Sequence, residues 1–147
     1  MGARRDSMSV KRRVLFLCTG NSCRSQIAEA WTRNLRNNDY EAYSAGITPK
    51  GLDPRAVKVM AEVGIDISFQ KSKDIDSLGP IEFDYVVTLC DNARESCPYY
   101  PAKTQLIHRG FDDPPSLAQD AKSEKDAMEH YRRVRDEIRT FVMDLPG

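Results

Sequence analysis

RVLFLCTGNSCRSQIAEAW, residues 13–31, is the stretch whose reading decides the fold. Arg13–Cys18 is an apolar, β-prone run, the pattern of a buried strand. Ser25–Asn37 then sets Ile27, Ala28, Trp31 and Leu35 at helical spacing, with Trp31 read as core. Between strand and helix lies a loop of small polar residues, bounded by a thiol at Cys18 and a guanidinium at Arg24.

The same alternation continues outward. Tyr40–Ala45 reads as a short strand closed by Gly46. Asp53-Pro54 supplies an N-cap with proline at the first helical position. The helix it starts is expected to bury Ala56, Val57, Met60 and Ala61 and to stop near Gly64. Phe83–Leu89 is a second continuous apolar strand and Thr104–His108 a weaker one. Ser123–Asp144 reads as a long closing helix, with Ser123 and Asp126 approximating a capping box. Its inner face is Met128, Tyr131, Val134, Ile138, Phe141 and Leu145. The charged run YRRVRDEIR is read as its outer face, and His130 as a solvated residue.

Strands alternating with helices give an α/β fold of three layers, a central four-stranded parallel sheet with helices on both faces. Ligands then bind beyond the carboxyl ends of the strands. Cys18 ends the first strand, and Cys90 directly follows the FDYVVTL strand. If those strands are neighbours, about 4.8 Å apart, the two thiols approach each other.

The chain has 147 residues, enough for one domain with a usable core. Residues 1–12 are read as a solvated tail and 13–147 as the domain. Basic and acidic residues balance at 22 each, so no global field favours nucleic acid or an anionic membrane. VLFLC is too short for a signal peptide or a membrane span, and a cytoplasmic monomer is expected. In that reducing compartment four cysteines are not permanent staples; they are catalytic, metal-binding or inert.

The loop Thr19–Cys23 explains one of them. Gly20 permits unusual backbone angles, and Asn21 tolerates them better than most residues. A turn leading into a helix points several N–H groups at one spot, forming an anion nest at the positive end of the helix dipole. That field favours a Cys18 thiolate. Arg24 brings a planar fork for two oxygens of a tetrahedral oxyanion. Thr19, Gly20, Asn21, Ser22, Cys23 and Arg24 thus form the oxyanion cradle, and Ser25 is close enough to donate to the Cys18 sulfur.

Cys18-Thr19-Gly20-Asn21-Ser22-Cys23-Arg24-Ser25 resembles the phosphate loop of the low-molecular-weight protein tyrosine phosphatases. It resembles still more the loop of the thioredoxin-coupled arsenate reductases, which share that fold. The resemblance continues in order through AEAW, YSAGI, VGIDIS, VVTLC, HRGFDDP and YRRVRDEI. It implies arsenate as substrate, phosphate and sulfate as competing oxyanions, thioredoxin as reductant, and no cofactor or resident metal. It also implies the catalytic roles. Cys18 attacks arsenate, and Arg24 and the loop amides stabilise charge. Asp113, just before Pro114, protonates the leaving oxygen. Cys90 then attacks Cys18 and releases arsenite, and Cys97 attacks Cys90 to leave a Cys90–Cys97 disulfide for thioredoxin.

The alternative within the fold is a phosphatase, in which water hydrolyses the adduct and Cys90 only protects Cys18. VTLCDNARESCP, with two further thiols, favours the reductase. So do Pro115 and Ser116, which stand where these phosphatases carry aromatic residues; Tyr99 and Tyr100 are read as packing. If residues 90–97 were helical, Cys90 and Cys97 would sit about 10.5 Å apart along the axis. A disulfide needs Cα atoms within about 7 Å, so the segment is irregular or unwinds on oxidation. Zinc is disfavoured, because the Cys90–Cys97 spacing is wide for ligands and Arg24 would compete near Cys23. Cys23 is read as structural.

Some arsenate reductases bind potassium near the loop. Asn21, Glu29 and Ser44 match three of its ligand positions, and Lys73 stands at the fourth, where Asp is usual, with Asp74 beside it. An ammonium there would hold Glu29 in place of the ion. His108 ends a strand near Asp113, where it could tune the acid; with no charge partner evident in the sequence it is read as a satisfied structural histidine.

Overall fold

Val14–Cys18 are buried without a break because their strand lies inside the sheet and is covered on both faces. The computed structural model describes residues 11–98 and 100–147. In order, the elements are β1 (Arg12–Cys18), α1 (Arg24–Leu35), β2 (Tyr40–Gly46) and α2 (Pro54–Ala61). A 3-10 turn (Asp76–Leu78), β3 (Tyr85–Thr88), α3 (Asp91–Glu95), β4 (Gln105–His108), α4 (Pro114–Gln119) and α5 (Glu124–Met143) follow. The sheet order is β2-β1-β3-β4, and all pairings are parallel. The four-stranded α/β architecture is the expected one, and the strand ending at Cys18 does neighbour the strand preceding Cys90. Arg12, expected in the tail, pairs with Tyr40 in β1. Residues 1–10 of that tail, and Tyr99, lie outside the described residues.

Alternation along β1 splits the core. Val14, Phe16 and Cys18 face the larger cluster, with Ile27, Trp31, Met60, Tyr131 and Ile138 from α1, α2 and α5. Leu15 and Leu17 face the smaller one, with Phe83, Val86 and Ala93, against which Leu78 and Tyr100 pack. The Trp31 indole donates to Arg135 O at 3.0 Å and joins α1 to α5. Arg36, buried just past α1, donates to the carbonyls of Val142, Leu145 and Pro146, and so satisfies the open end of α5.

Three expectations change. α2 buries Ala56, Val59 and Met60, whereas Ala61 is exposed, because the helix ends there and the chain turns back at Gly64 (φ 81°). Arg135, expected on the outer face, is buried: its guanidinium reaches Val59 O and Glu62 Oε1, both at 3.0 Å. The segment after Cys90, expected to be irregular or to unwind on oxidation, forms the short helix α3, and α4 is a further helix the sequence does not announce. No helix among the described residues is long and apolar enough to cross a membrane.

Candidate active site

β1 delivers Cys18 to the carboxyl edge of the sheet, and the loop after it turns its carbonyls away from the centre. The oxygens of Cys18, Thr19, Gly20 and Ser22 accept from the N–H groups of Ile47, Thr48, Lys50 and Asp53 at 2.8–3.2 Å. Among the described residues, no backbone N–H from Thr19 to Gln26 donates to a protein acceptor. Those donors are left for an anion, as the nest reading requires. Asn21 takes the left-handed conformation, φ 48°. Gly46 lets the loop pack onto β2: a Cβ there would lie 2.8 Å from Asn21 N and 2.9 Å from Gly20 C.

A buried polar chain sets the direction of the hydrogen bonds at the nucleophile. Lys73 N–H, which can only donate, meets Asn21 Oδ1 at 2.9 Å. The Asn21 amide is thereby oriented, and its Nδ2 donates to Ser25 Oγ at 2.7 Å. The Ser25 proton is left for Cys18 Sγ, 2.9 Å away. Gln26 Nε2 adds bonds to Asn21 O, Asn21 Oδ1 and Lys71 O at 2.9–3.0 Å. Gln70 Nε2 donates to Gln26 Oε1 at 2.6 Å and holds that amide in turn. Asn21, Ser25 and Gln26 are wholly buried, so each bond is made away from competing water.

Arg24 lies beneath the site, 8 % exposed. Its Nη1 donates to Phe111 O at 2.9 Å, and its Nη2 lies 3.6 Å from Asp113 Oδ1. Asp113 and Pro114 start α4, and Ser116 Oγ donates to Asp113 Oδ2 at 2.9 Å. Cys18, Ser22, Arg24, Lys50 and Asp113 line a cavity of about 170 Å³. A larger depression of about 410 Å³ mixes Lys11, Arg13 and Lys103 with Glu41, Glu82 and Asp84, and no nucleophile lines it among the described residues.

The remaining thiols differ. Burial, then the nearby Asp53 carboxylate, pushes the Cys23 thiol well up, so it packs as a neutral group. Cys90 precedes α3, and its sulfur accepts from Ala93 N at 3.4 Å. Thr19 Oγ1 lies 3.4 Å from the same sulfur. Asn92 Nδ2 donates to Thr19 Oγ1 at 3.1 Å, which leaves the Thr19 proton for Cys90. Cys97 follows α3 and packs with Tyr100 against the smaller core; burial raises its pKa. All four thiols are free. The structure therefore gathers Cys18, Arg24, Ser25 and Asp113, and joins Cys90 to them through Thr19.

At the potassium-like position, Ser44 Oγ donates to Glu29 Oε1 at 2.6 Å and Lys73 Nζ lies 3.8 Å from that oxygen. Arg33, not anticipated, grips Glu29 Oε2 at 2.7 Å. Asp74 faces elsewhere and accepts from Ser77 N. The His108 ring bonds Thr88 Oγ1 at 2.8 Å and sits 3.4 Å from Asp91, which supplies the partners of a structural histidine. Arg33 stands four residues after Glu29, a spacing that helix geometry exposes. Gln70, Asn92 and Lys50 have no local signal, because their partners lie far along the chain, and Gln26 joins the nearby Asn21 to Lys71 and Gln70, some 45 residues on.

The chain matches the family model for low molecular weight phosphotyrosine protein phosphatase over residues 13–145. It is 52 % identical over 125 residues to an arsenate reductase of Bacillus subtilis, covering 85 % of this chain and 88 % of that one. A solved arsenate reductase in the phosphate binding state superposes with a TM-score of 0.70 at 32 % identity, covering 91 % of this chain and 95 % of the other. A thioredoxin-dependent arsenate reductase from Corynebacterium glutamicum gives a TM-score of 0.65 at 27 % identity, over 90 % of this chain and 61 % of that one.

Proposed function

This chain belongs to the low molecular weight phosphotyrosine protein phosphatase family, and from that premise we propose that it is an arsenate reductase working through a relay of three thiols. Cys18 attacks arsenic as the thiolate, which Ser25 supports by hydrogen bonding. One arsenate oxygen leaves as water, its proton supplied by Asp113. The loop N–H groups and Arg24 hold the remaining oxygens. The Cys90 thiolate then attacks Cys18 Sγ. A sulfur–sulfur bond forms and the sulfur–arsenic bond breaks, with its electron pair staying on arsenic. As(V) becomes As(III) and departs as arsenite. Cys97 next attacks Cys90 and frees the Cys18 thiolate. Two thiols have lost two electrons, and thioredoxin returns them by reducing the Cys90–Cys97 disulfide. The enzyme is taken to act as a monomer in the cytosol, where thiols are kept reduced.

The observation that carries this reading is the contact of Cys90 with Thr19, the residue next to the nucleophile. A phosphatase needs no second thiol there. The cavity is flanked by Pro115, and among the described residues no aromatic one lines it to grip a phosphotyrosine ring. The test is arsenite formation with thioredoxin, thioredoxin reductase and NADPH. Wild type turns over repeatedly, whereas Cys97→Ser releases a first arsenite and stops. Aryl phosphate hydrolysis without arsenate turnover would refute the proposal.

A further inference from the structure

The oxyanion cavity contains a lysine that the relay does not use. Lys50 lines it together with Cys18, Arg24 and Asp113. Its backbone is fixed to the loop, since Lys50 N donates to Gly20 O at 3.0 Å. Its stem lies across Gly20: a Cβ on that glycine would meet Lys50 Cδ at 3.3 Å and its Cβ and Cγ at 3.4 Å. Gly20 thus makes room for the lysine as well as for the turn.

Charge counting gives the lysine a purpose. A Cys18 thiolate and a doubly charged tetrahedral oxyanion bring three negative charges together. Arg24 is one cation, and two of its nitrogens already face Phe111 O and Asp113. Arg24 and Lys50 are the only cationic side chains lining the cavity among the described residues. An ammonium on a flexible stem reaches a ligand at the mouth without fixing its orientation. We propose that Lys50 is a second cationic binding residue of this site, which raises its affinity for doubly charged oxyanions and draws anionic reagents toward Cys18.

The inference rests on the reading of the cavity as an oxyanion site, and its test does not depend on arsenate turnover. The probe is inorganic phosphate, which protects Cys18 from alkylation, with modification followed by mass mapping of the Cys18 peptide. In Lys50→Gln the phosphate concentration giving half protection rises about twofold to fivefold, the scale of one solvent-exposed charge contact. Without phosphate, the rate with anionic iodoacetate falls by a similar factor, while the rate with neutral iodoacetamide holds. Lys50→Arg restores both. Equal protection in wild type and Lys50→Gln overturns the role of Lys50, as does an unchanged ratio of the two alkylation rates or a failure of Lys50→Arg to restore them. An absence of phosphate protection in wild type overturns the oxyanion site itself, and Lys50 with it.

Discussion

The Asn21 side-chain amide donates to Ser25 Oγ at 2.7 Å, which fixes Ser25 as a donor toward Cys18. The orientation originates in a backbone N–H, that of Lys73, so it cannot flip with conditions. A hydrogen bond to a charged sulfur is worth about 1.5–3 kcal/mol, or roughly a tenfold to hundredfold change in rate. Ser25→Ala is therefore expected to slow the first arsenite-forming step by at least about tenfold. Rapid-quench measurement of that step, with circular dichroism to confirm the fold, checks it. An unchanged rate would show that the loop amides alone support the nucleophile.

Thr19 does for the second thiol what Ser25 does for the first. Its hydroxyl accepts from Asn92 and is left to donate to Cys90. Thr19→Val keeps the shape and removes the donor. Formation of the Cys18–Cys90 bond is expected to slow about tenfold, while phosphate still protects Cys18 as in wild type. Single-turnover trapping of the mixed disulfide reads the first quantity and alkylation reads the second. Equal loss of both would mean that Thr19 only holds the loop together.

The sheet was legible because β1 and β3 are buried parallel strands, which read as unbroken apolar runs. The start of α5 was legible because Ser123 carries its own signal, and its hydroxyl accepts from Asp126 N at 3.1 Å. α3 was not, since five residues hold no periodicity and a cysteine sulfur caps it. α4 hid behind its own motif: Asp113-Pro114 was read as chemistry, and it is also a helix start. The charge of Arg135 points to solvent, yet beside the adjacent Asp136 its guanidinium binds Val59 O and Glu62 of the α2 region, which only the fold brings near. In the site, Cys18, Arg24, Ser25 and Asp113 were readable from local spacing and resemblance. The orienting amides Gln26 and Gln70 bond across 44 residues and have no local pattern.

With all four thiols free, α3 stands between Cys90 and Cys97, the two thiols of the proposed second step. Arg94 N bonds Cys90 O at 3.1 Å and Ser96 N bonds Asn92 O at 3.0 Å. A Cys90–Cys97 disulfide needs Cα atoms within about 7 Å, whereas a helix carried the whole way between them would hold them about 10.5 Å apart along its axis. Oxidation is therefore expected to melt α3. The amides of Arg94 and Ser96 should exchange faster in the oxidised form, while those of β1 stay unchanged. Exchange followed by mass spectrometry or NMR in both redox states decides it, and equal protection at these amides rejects the unwinding.

Glu29 is neutralised from within the chain. Arg33 and Lys73 flank its carboxylate, and Ser44 occupies a further lone pair. Asn21 Oδ1 is also taken, by Lys73 N and Gln26 Nε2. A monovalent cation would meet two positive charges and no free oxygen of Asn21. Exchanging sodium for potassium at constant ionic strength is expected to alter arsenate turnover by less than about twofold, well under 1 kcal/mol. A severalfold gain would place a cation site nearby, with Asp74 as the first ligand to test by Asp74→Asn.

Cys23 links the core to alkaline stability. Burial, with Asp53 adding to it, raises its pKa in the folded protein well above that of an exposed thiol. The folded state thus keeps a proton that the unfolded chain releases. This contribution to stability is full below the unfolded thiol value, near pH 8.5, and declines as pH rises from there toward the folded value. Cys23→Ala removes the titrating group at the cost of a small cavity. Wild type should lose stability between about pH 8 and pH 10 more steeply than Cys23→Ala, by up to about 1.4 kcal/mol per pH unit. Urea midpoints across that range measure the two slopes. Parallel slopes would mean that Cys23 does not hold its proton in the folded state, and that the alkaline limit is set by other groups.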